Sequence, residues 1–241
     1  MSIVPYSFEF YAVFWITVFT VIVKVLVAFY VGKKLYDERK QKDPAGLDFM
    51  RALFILVVCM IISRIIFILF DFVYTLFVFE TYYLSPNVWL WKAAMGITGF
   101  GLGYVLLITD KKIMENKFRG VLAYIVFFGI VLTLVWPVNR AEDFSTLSLI
   151  AFIPQLSGLI IPLLFLRIGY KSSGDLKKTA YVMVIATILY VIGGLLVNAA
   201  ILEVLTDLME RDMMLTLHVL RGILKSVGVV LFAYVATKFR A

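Results

Sequence analysis

The sequence predicts an all-α polytopic membrane protein: one bundle of seven transmembrane helices, amino terminus outside and carboxyl terminus cytoplasmic. Three observations predict it. The 241 residues are 63% hydrophobic, with a mean hydropathy of +0.99, whereas a soluble domain is roughly half apolar. The apolar residues gather in seven stretches of about 20 residues or more, each long enough to cross roughly 30 Å of hydrocarbon as a helix. Sixteen of the 23 Lys and Arg residues lie in or beside every second gap between those stretches. Basic loops of that kind stay on the cytoplasmic side.

The spans are read at about 8–32, 50–79, 88–109, 119–138, 146–169, 178–203 and 214–238. They leave little chain over, so residues 1–241 are expected to form one transmembrane domain. The gap after span 1 reads GKKLYDERKQKDPAGLD, that after span 3 TDKKIMENKFRG, that after span 5 RIGYKSSGDLKK, and the tail KFRA. The alternate gaps, FETYYLSPN, PVNRAEDFST and LEVLTDLMERDMM, lean acidic and contain only Arg140 and Arg211 as cations. Tyr82, Tyr83, Trp89 and Trp91 flank the outer start of span 3, and Trp136 the outer end of span 4, as in an interfacial aromatic belt. Pro44 and Gly46 end the first inner loop, and Pro86 and Pro137 mark outer boundaries. Pro154 and Pro162 fall within span 5 and predict a kink there. Gly99 and Gly103 form a GxxxG in span 3, a close-packing face for a neighbouring helix. No strand or βαβ unit surrounds these glycines, which excludes a nucleotide loop.

Composition excludes several functions. The net charge of +7 and pI near 9.4 are not a nucleic-acid footprint, because the basic residues follow the cytoplasmic face of the membrane. The single cysteine, Cys59, lies inside span 2 and has no intramolecular partner. The start MSIVPYSFEF lacks a basic n-region and carries Glu9, so no cleaved signal peptide is expected. One histidine cannot furnish a bis-His haem or a metal cluster. A Ser/His/Asp set, HExxH, paired intramembrane aspartates and a P-loop are all missing, so no enzyme, metal or cofactor is expected.

Charge inside the membrane is costly and points to function by default. Lys24, Arg64, Asp71, Arg221 and Lys225 lie well inside the spans. At ~1.5 Å per residue, Arg64 and Lys225 fall near the midplane, Lys24 toward the cytoplasm, and Asp71 and Arg221 toward the outside. Lys92 and His218 lie nearer the outer surface. Arg64 and Asp71 are two turns apart on one helix and share a face. His218, Arg221 and Lys225 follow i, i+3, i+7 and share a face of span 7. Asp71 is expected to pair with Arg221, and Lys24 to snorkel to the cytoplasmic interface. The cations outnumber the one carboxylate, so the surplus is met by neutral lysines, by a bound anion, or by snorkelling. A buried ion pair that fixes helix register is the competing reading. Gln155, Tyr190 and Asn198 are candidates for the same polar interior or for ordinary interhelical hydrogen bonds.

Residues 162–198, PLLFLRIGYKSSGDLKKTAYVMVIATILYVIGGLLVN, resemble the fifth and sixth helices of the prokaryotic seven-helix sensor domains found ahead of histidine kinases. Residues 1–241 hold no kinase or other output domain, so that resemblance is expected to imply a stand-alone sensor-like or accessory module. The stretch LRGILKSVGVVLFAY places Lys225 at the depth of the retinal lysine of microbial rhodopsins, a second resemblance. Arg221 stands where that family typically has an aspartate, and span 3, WLWKAAMGITGFGLGYVLL, has no carboxylate to serve as counterion. Asp71 would have to take that role. Pro154 and Gln155 are similar to the second Pro-Gln dipeptide of PQ-loop transporters, and span 1 has no counterpart.

The expected function is therefore a non-enzymatic, sensor- or receptor-like protein of the cell membrane. It would act through a membrane or cytoplasmic protein partner, with an anionic or lipid ligand in the bundle. The alternatives are a transporter or channel using the central charges, a retinal-binding protein through Lys225, and a structural subunit of a membrane complex. The expected ligand-binding or buried charge cluster is Arg64, Asp71, Arg221, Lys225, His218 and Gln155.

Overall fold

The computed structural model describes residues 3–38, 44–151, 154, 158–196 and 214–238. Those residues are helical and contain no strand. We number the helices α1 (Phe8–Glu38), α2 (Pro44–Leu69), α3 (Asn87–Ile108), α4 (Val121–Val135), α5 (Ala141–Ile150), α6 (Ile160–Lys171), α7 (Gly174–Leu195) and α8 (Met214–Lys238). Among them α1, α2, α3, α7 and α8 are long and apolar enough to cross a membrane. At 15 residues, α4 is about 22 Å long, shorter than the hydrocarbon core.

Close contacts fix the direction of each helix. Phe54 of α2 lies against Gly32 of α1, Arg64 reaches Thr17, and Phe72 packs on Phe10, so α1 and α2 are antiparallel. Cys59 and Leu56 of α2 meet Gly101 of α3, while Lys112, in the π-helical turn Thr109–Ile113 that follows α3, pairs with Asp48 at 3.2 Å. Gly103 faces Phe127, and Gly99 faces Ile130. A Cβ at either glycine would sit 2.7 Å from its neighbour, so the GxxxG does set the α3–α4 approach. At the other end of the molecule, Gly169 of α6 faces Ala180 of α7. Gly193 and Gly228 bring α7 and α8 together, head to tail. Leu215 packs with Phe10 and Val13, Gly222 with Ile16 and Thr20, and Val229 and Phe232 share a core with Val27 and Val31. These pairs ascend together, so α1 and α8 run the same way. The main core joins residues of α1, α2, α3, α4, α6, α7 and α8, including Phe49 against Phe165 with ring centroids 5.7 Å apart. The outward faces stay apolar, as with Phe8, Trp15 and Phe29. In water such faces would be a liability; in lipid they are solvated.

Two of the expected spans differ in the structure, and a third is described only in part. Span 2 leaves the α-helix at Leu69 and passes through a π-helical turn at Phe70–Tyr74. The backbone N–H and hydroxyl of Thr75 both donate to the Phe70 carbonyl, at 2.9 and 2.8 Å, which closes that turn. Leu76 and Phe77 then adopt φ of 49° and 62° and redirect the chain. The apolar run continues to residue 79, but its side chains fill an aromatic cluster with Phe10 instead of extending a helix. Span 5 is divided, with α5 ending at Ile150 and α6 beginning at Ile160. Pro162 therefore sits in the first turn of α6, where its missing N–H costs nothing, and does not kink a continuous helix. Span 6 ends as a described helix at Leu195; the rest of that span lies outside the described residues.

Two polar devices hold the loops beside α3. The buried Asp110 carboxylate accepts the backbone N–H of Phe118 at 2.9 Å and of Gly120 at 2.6 Å, shaping the turn into α4. The buried Lys92 donates to the carbonyls of Leu134 at 3.1 Å and Trp136 at 2.6 Å. A cation there satisfies the orphan carbonyls at the end of α4 and complements its dipole. The Lys92 ammonium also lies 4.7 Å from the Trp89 ring centroid. Tyr82, Tyr83, Trp91 and Trp136 pack on Val88, Phe144 and Leu147 at the same end, and burial pushes the Tyr82 phenol above its ordinary value.

Candidate functional site

The polar residues of α1, α2 and α8 meet in one cavity of ≈ 20 Å³. Its lining comprises Ile16, Thr17, Thr20 and Lys24 from α1, Arg64 from α2, and His218, Arg221, Gly222 and Lys225 from α8. A cavity of that size has room for about one water molecule. Gly222 is what allows α1 to come so close, since a Cβ there would lie 2.6 Å from Cγ2 of Ile16.

Helical spacing puts the groups in place. Thr17, Thr20 and Lys24 follow i, i+3, i+7 along α1, and His218, Arg221 and Lys225 repeat that spacing along α8. Because α1 and α8 run in parallel, the two stripes face each other in register. Arg64 enters from α2, which lies against both. Its Nη2 donates to the Thr17 hydroxyl at 3.0 Å. Its Nη1 lies 3.9 Å from a carboxylate oxygen of Asp71, with both side chains mostly buried. The π-helical turn at Phe70–Tyr74 carries Asp71. Thr20 donates its hydroxyl proton to the Thr17 carbonyl at 2.7 Å, so that proton is already used. Tyr190 of α7 floors the inner end, with the Lys225 ammonium 5.2 Å and the Lys24 ammonium 5.8 Å from its ring centroid. Both fall within cation–π range.

The structure gathers Arg64, Arg221, Lys225 and His218 around one cavity, and it places Asp71 beside them through Arg64. Two expectations are corrected. Asp71 has Arg64, not Arg221, as its ion-pair partner. The shared face two turns apart on one helix proves the shorter route, and Arg221 interacts with Asp71 only at longer range. Lys24 does not snorkel. It is buried and turned into the cavity, because the face of α1 that bears it is the face closed by α8. Gln155 and Asn198 lie outside the described residues. The hydroxyls of Thr17 and Thr20 were not singled out by sequence. Their signal was the i, i+3, i+7 spacing of Thr17, Thr20 and Lys24, which duplicates the charged stripe of α8.

The chemistry of the lining is one-sided. Four basic side chains, Lys24, Arg64, Arg221 and Lys225, face one carboxylate, Asp71, and Asp71 is paired with Arg64. Such a lining repels a metal ion and attracts an anion. Hydroxyl, guanidinium and ammonium groups are all donors to an anion. Comparisons of the chain with protein-family models, with curated proteins and with solved structures find no match.

Proposed function

We propose that this chain is a seven-span protein of the cell membrane that binds an anion between α1, α2 and α8. In this reading it acts as a sensor-like module through a protein partner, without catalysing a reaction. The amino terminus is outside and the carboxyl terminus cytoplasmic. The observation that carries the ligand is the convergence of four basic side chains on one cavity with a single carboxylate nearby.

The helix directions support the count and the orientation. Neighbours α1, α2, α3 and α4 alternate in direction, α6, α7 and α8 alternate, and α1 and α8 agree. Phe144 of α5 lies with Trp91 at the end of the bundle that holds Tyr82, whereas Phe165 of α6 meets Phe49 at the opposite end. Together α5 and α6 make one further crossing, which brings the crossings to an odd number. Basic loops at the Phe49 end then set that end in the cytoplasm.

The cavity size favours a sensor-like pocket over the alternatives. A transport pathway needs water access to Arg64 and Lys225 from each side in turn, and ≈ 20 Å³ is room for about one water. It is far too small for a chromophore attached to Lys225. A purely architectural charge cluster would be packed by apolar side chains and leave no niche. The test uses the purified full chain in detergent, unfolded by heat with and without inorganic anions and anionic lipid. A ligand that binds the folded form stabilises it by mass action, about 2.7 kcal/mol at a hundredfold excess over Kd. We expect a gain with at least one anion class and its loss in Arg64→Gln and Lys225→Gln. Equal stability of all three proteins in every anion would reject the reading.

A further inference from the structure

We propose that the occupant of this cavity is a single monatomic anion of halide size, chloride under cellular conditions. The proposal rests on the anion-binding reading above and narrows it to one class. Size is the first reason. A niche of ≈ 20 Å³ accommodates about one water, and chloride replaces one water with little change in volume. Phosphate, sulfate and a lipid phosphodiester each bring five or more heavy atoms, and would have to push apart helices that Gly222 already holds at contact distance.

The donor set is the second reason. A spherical ion has no preferred lone-pair directions, so it suits donors of mixed geometry converging from three helices. The ammonium groups of Lys24 and Lys225 come from the Tyr190 end, and the Arg221 guanidinium from α8. Thr17 accepts from Arg64 through its oxygen, which leaves its own hydroxyl proton to donate into the cavity. Arg64 is committed to Thr17 and Asp71 and contributes mainly its charge. The third reason is the wall. Ile16 and Gly222 offer no hydrogen bond, a setting that suits an ion easily stripped of water. Fluoride, strongly hydrated, should therefore bind worse than chloride or bromide.

The experiment uses the full chain in zwitterionic detergent and zwitterionic lipid, with sodium gluconate replaced stepwise by other sodium salts at constant ionic strength. Chloride and bromide should raise the Tm along a saturable curve, by roughly 5–11 °C at a hundredfold excess over Kd. Gluconate, fluoride, sulfate and phosphate should not. Lys225→Met should abolish the chloride increment without lowering the Tm in gluconate, because it removes a desolvated charge that has lost its counterion. Should Lys225→Met fail to fold, Thr17→Val keeps every charge and the volume, and should raise the chloride midpoint at least threefold. An equal rise with all salts would be screening and would overturn the proposal. A Lys225-dependent response to phosphate or anionic lipid without one to halide would also overturn it, while leaving the anion-binding reading in place. No response to any anion would overturn both.

Discussion

Asp71→Asn is the most informative single substitution in this protein. The wild-type carboxylate lies 3.9 Å from the Arg64 guanidinium, with side-chain exposures of 17% and 12%. Two unit charges at about 4 Å attract by roughly 4 kcal/mol at an effective dielectric constant of 20. Removing one member of a buried pair typically costs about 3–5 kcal/mol, since the other charge is left behind. Here Arg64 keeps its bond to Thr17, and the contact is long, so about 3 kcal/mol is expected. For a chain of this size that is a Tm fall of roughly 6–12 °C. The surrounding charge adds a sign to the prediction. Asp71→Asn leaves Arg64 facing Lys24, Arg221 and Lys225 with no carboxylate at hand, whereas Arg64→Gln removes one of the mutually repelling cations. Arg64→Gln should therefore cost less than Asp71→Asn, and the double variant should recover part of the larger loss. The assay is a thermal-unfolding double-mutant cycle in detergent. A second cycle pairs Asp71→Asn with Arg221→Gln and should give a smaller coupling. If that second coupling is the larger, the ion pair described here is misassigned and the reasoning fails.

Other regions give independent outcomes. Cysteine at Glu142 should react with an impermeant thiol reagent added to intact cells, and cysteine at Lys171 should not; labelling of the latter from outside would reverse the orientation. Lys92→Met preserves the stem but strips a donor from the Leu134 and Trp136 carbonyls, and should cost about 1–3 kcal/mol of stability, read as a lower Tm. Asp110→Ala removes the acceptor of two buried-turn N–H groups and should cost a similar amount, with faster proteolysis between α3 and α4. Gly222→Val drives a branched side chain into Ile16; the expected result is a marked Tm loss together with loss of any anion response.

The helices were legible because lipid leaves a simple signal. Long apolar runs give the positions of α1, α3 and α8, and basic gaps give their ends. The same signal misled at span 2, where VYTLFVF is apolar enough to continue a helix. The hydroxyl of Thr75 closes a π-helical turn there, Phe77 serves a cluster with Phe10, and Phe79 packs on Tyr82 and Phe144. Hydropathy measures solvent, not backbone path. Span 5 shows the same limit, for its apolar residues run on while the helix ends at Ile150. Periodicity did better with the site. It put Arg64 and Asp71 on one face, and His218, Arg221 and Lys225 on another. It could not say which face meets which. Lys24 has a stem long enough to snorkel or to turn inward, and its depth is the same in either case. The choice is made by a residue on another helix, Gly222, whose missing side chain lets α8 cover that face of α1.

That dependence has a consequence for how the site is assembled. Its donors come from the first helix, the second and the last, so the cavity cannot close until α8 has docked between α1 and α7. Before then Arg64 and Asp71 can already pair within α2 and its π-helical turn, which keeps the early charges compensated. Arg221 and Lys225 arrive with no carboxylate within 4 Å among the described residues, and Lys24 is in the same position. Docking α8 against α1 therefore brings cations toward cations. Apolar packing of Val229 and Phe232 with Val27 and Val31, together with the Tyr190 ring beneath both lysines, must outweigh that repulsion. An anion between the two stripes would relieve it directly. In the proposed reading an anion would act on the α1–α8 contact itself. Under the proposed orientation, a change in occupancy would be felt where α8 leads toward Lys238, the side from which the proposed sensor-like module would address a partner.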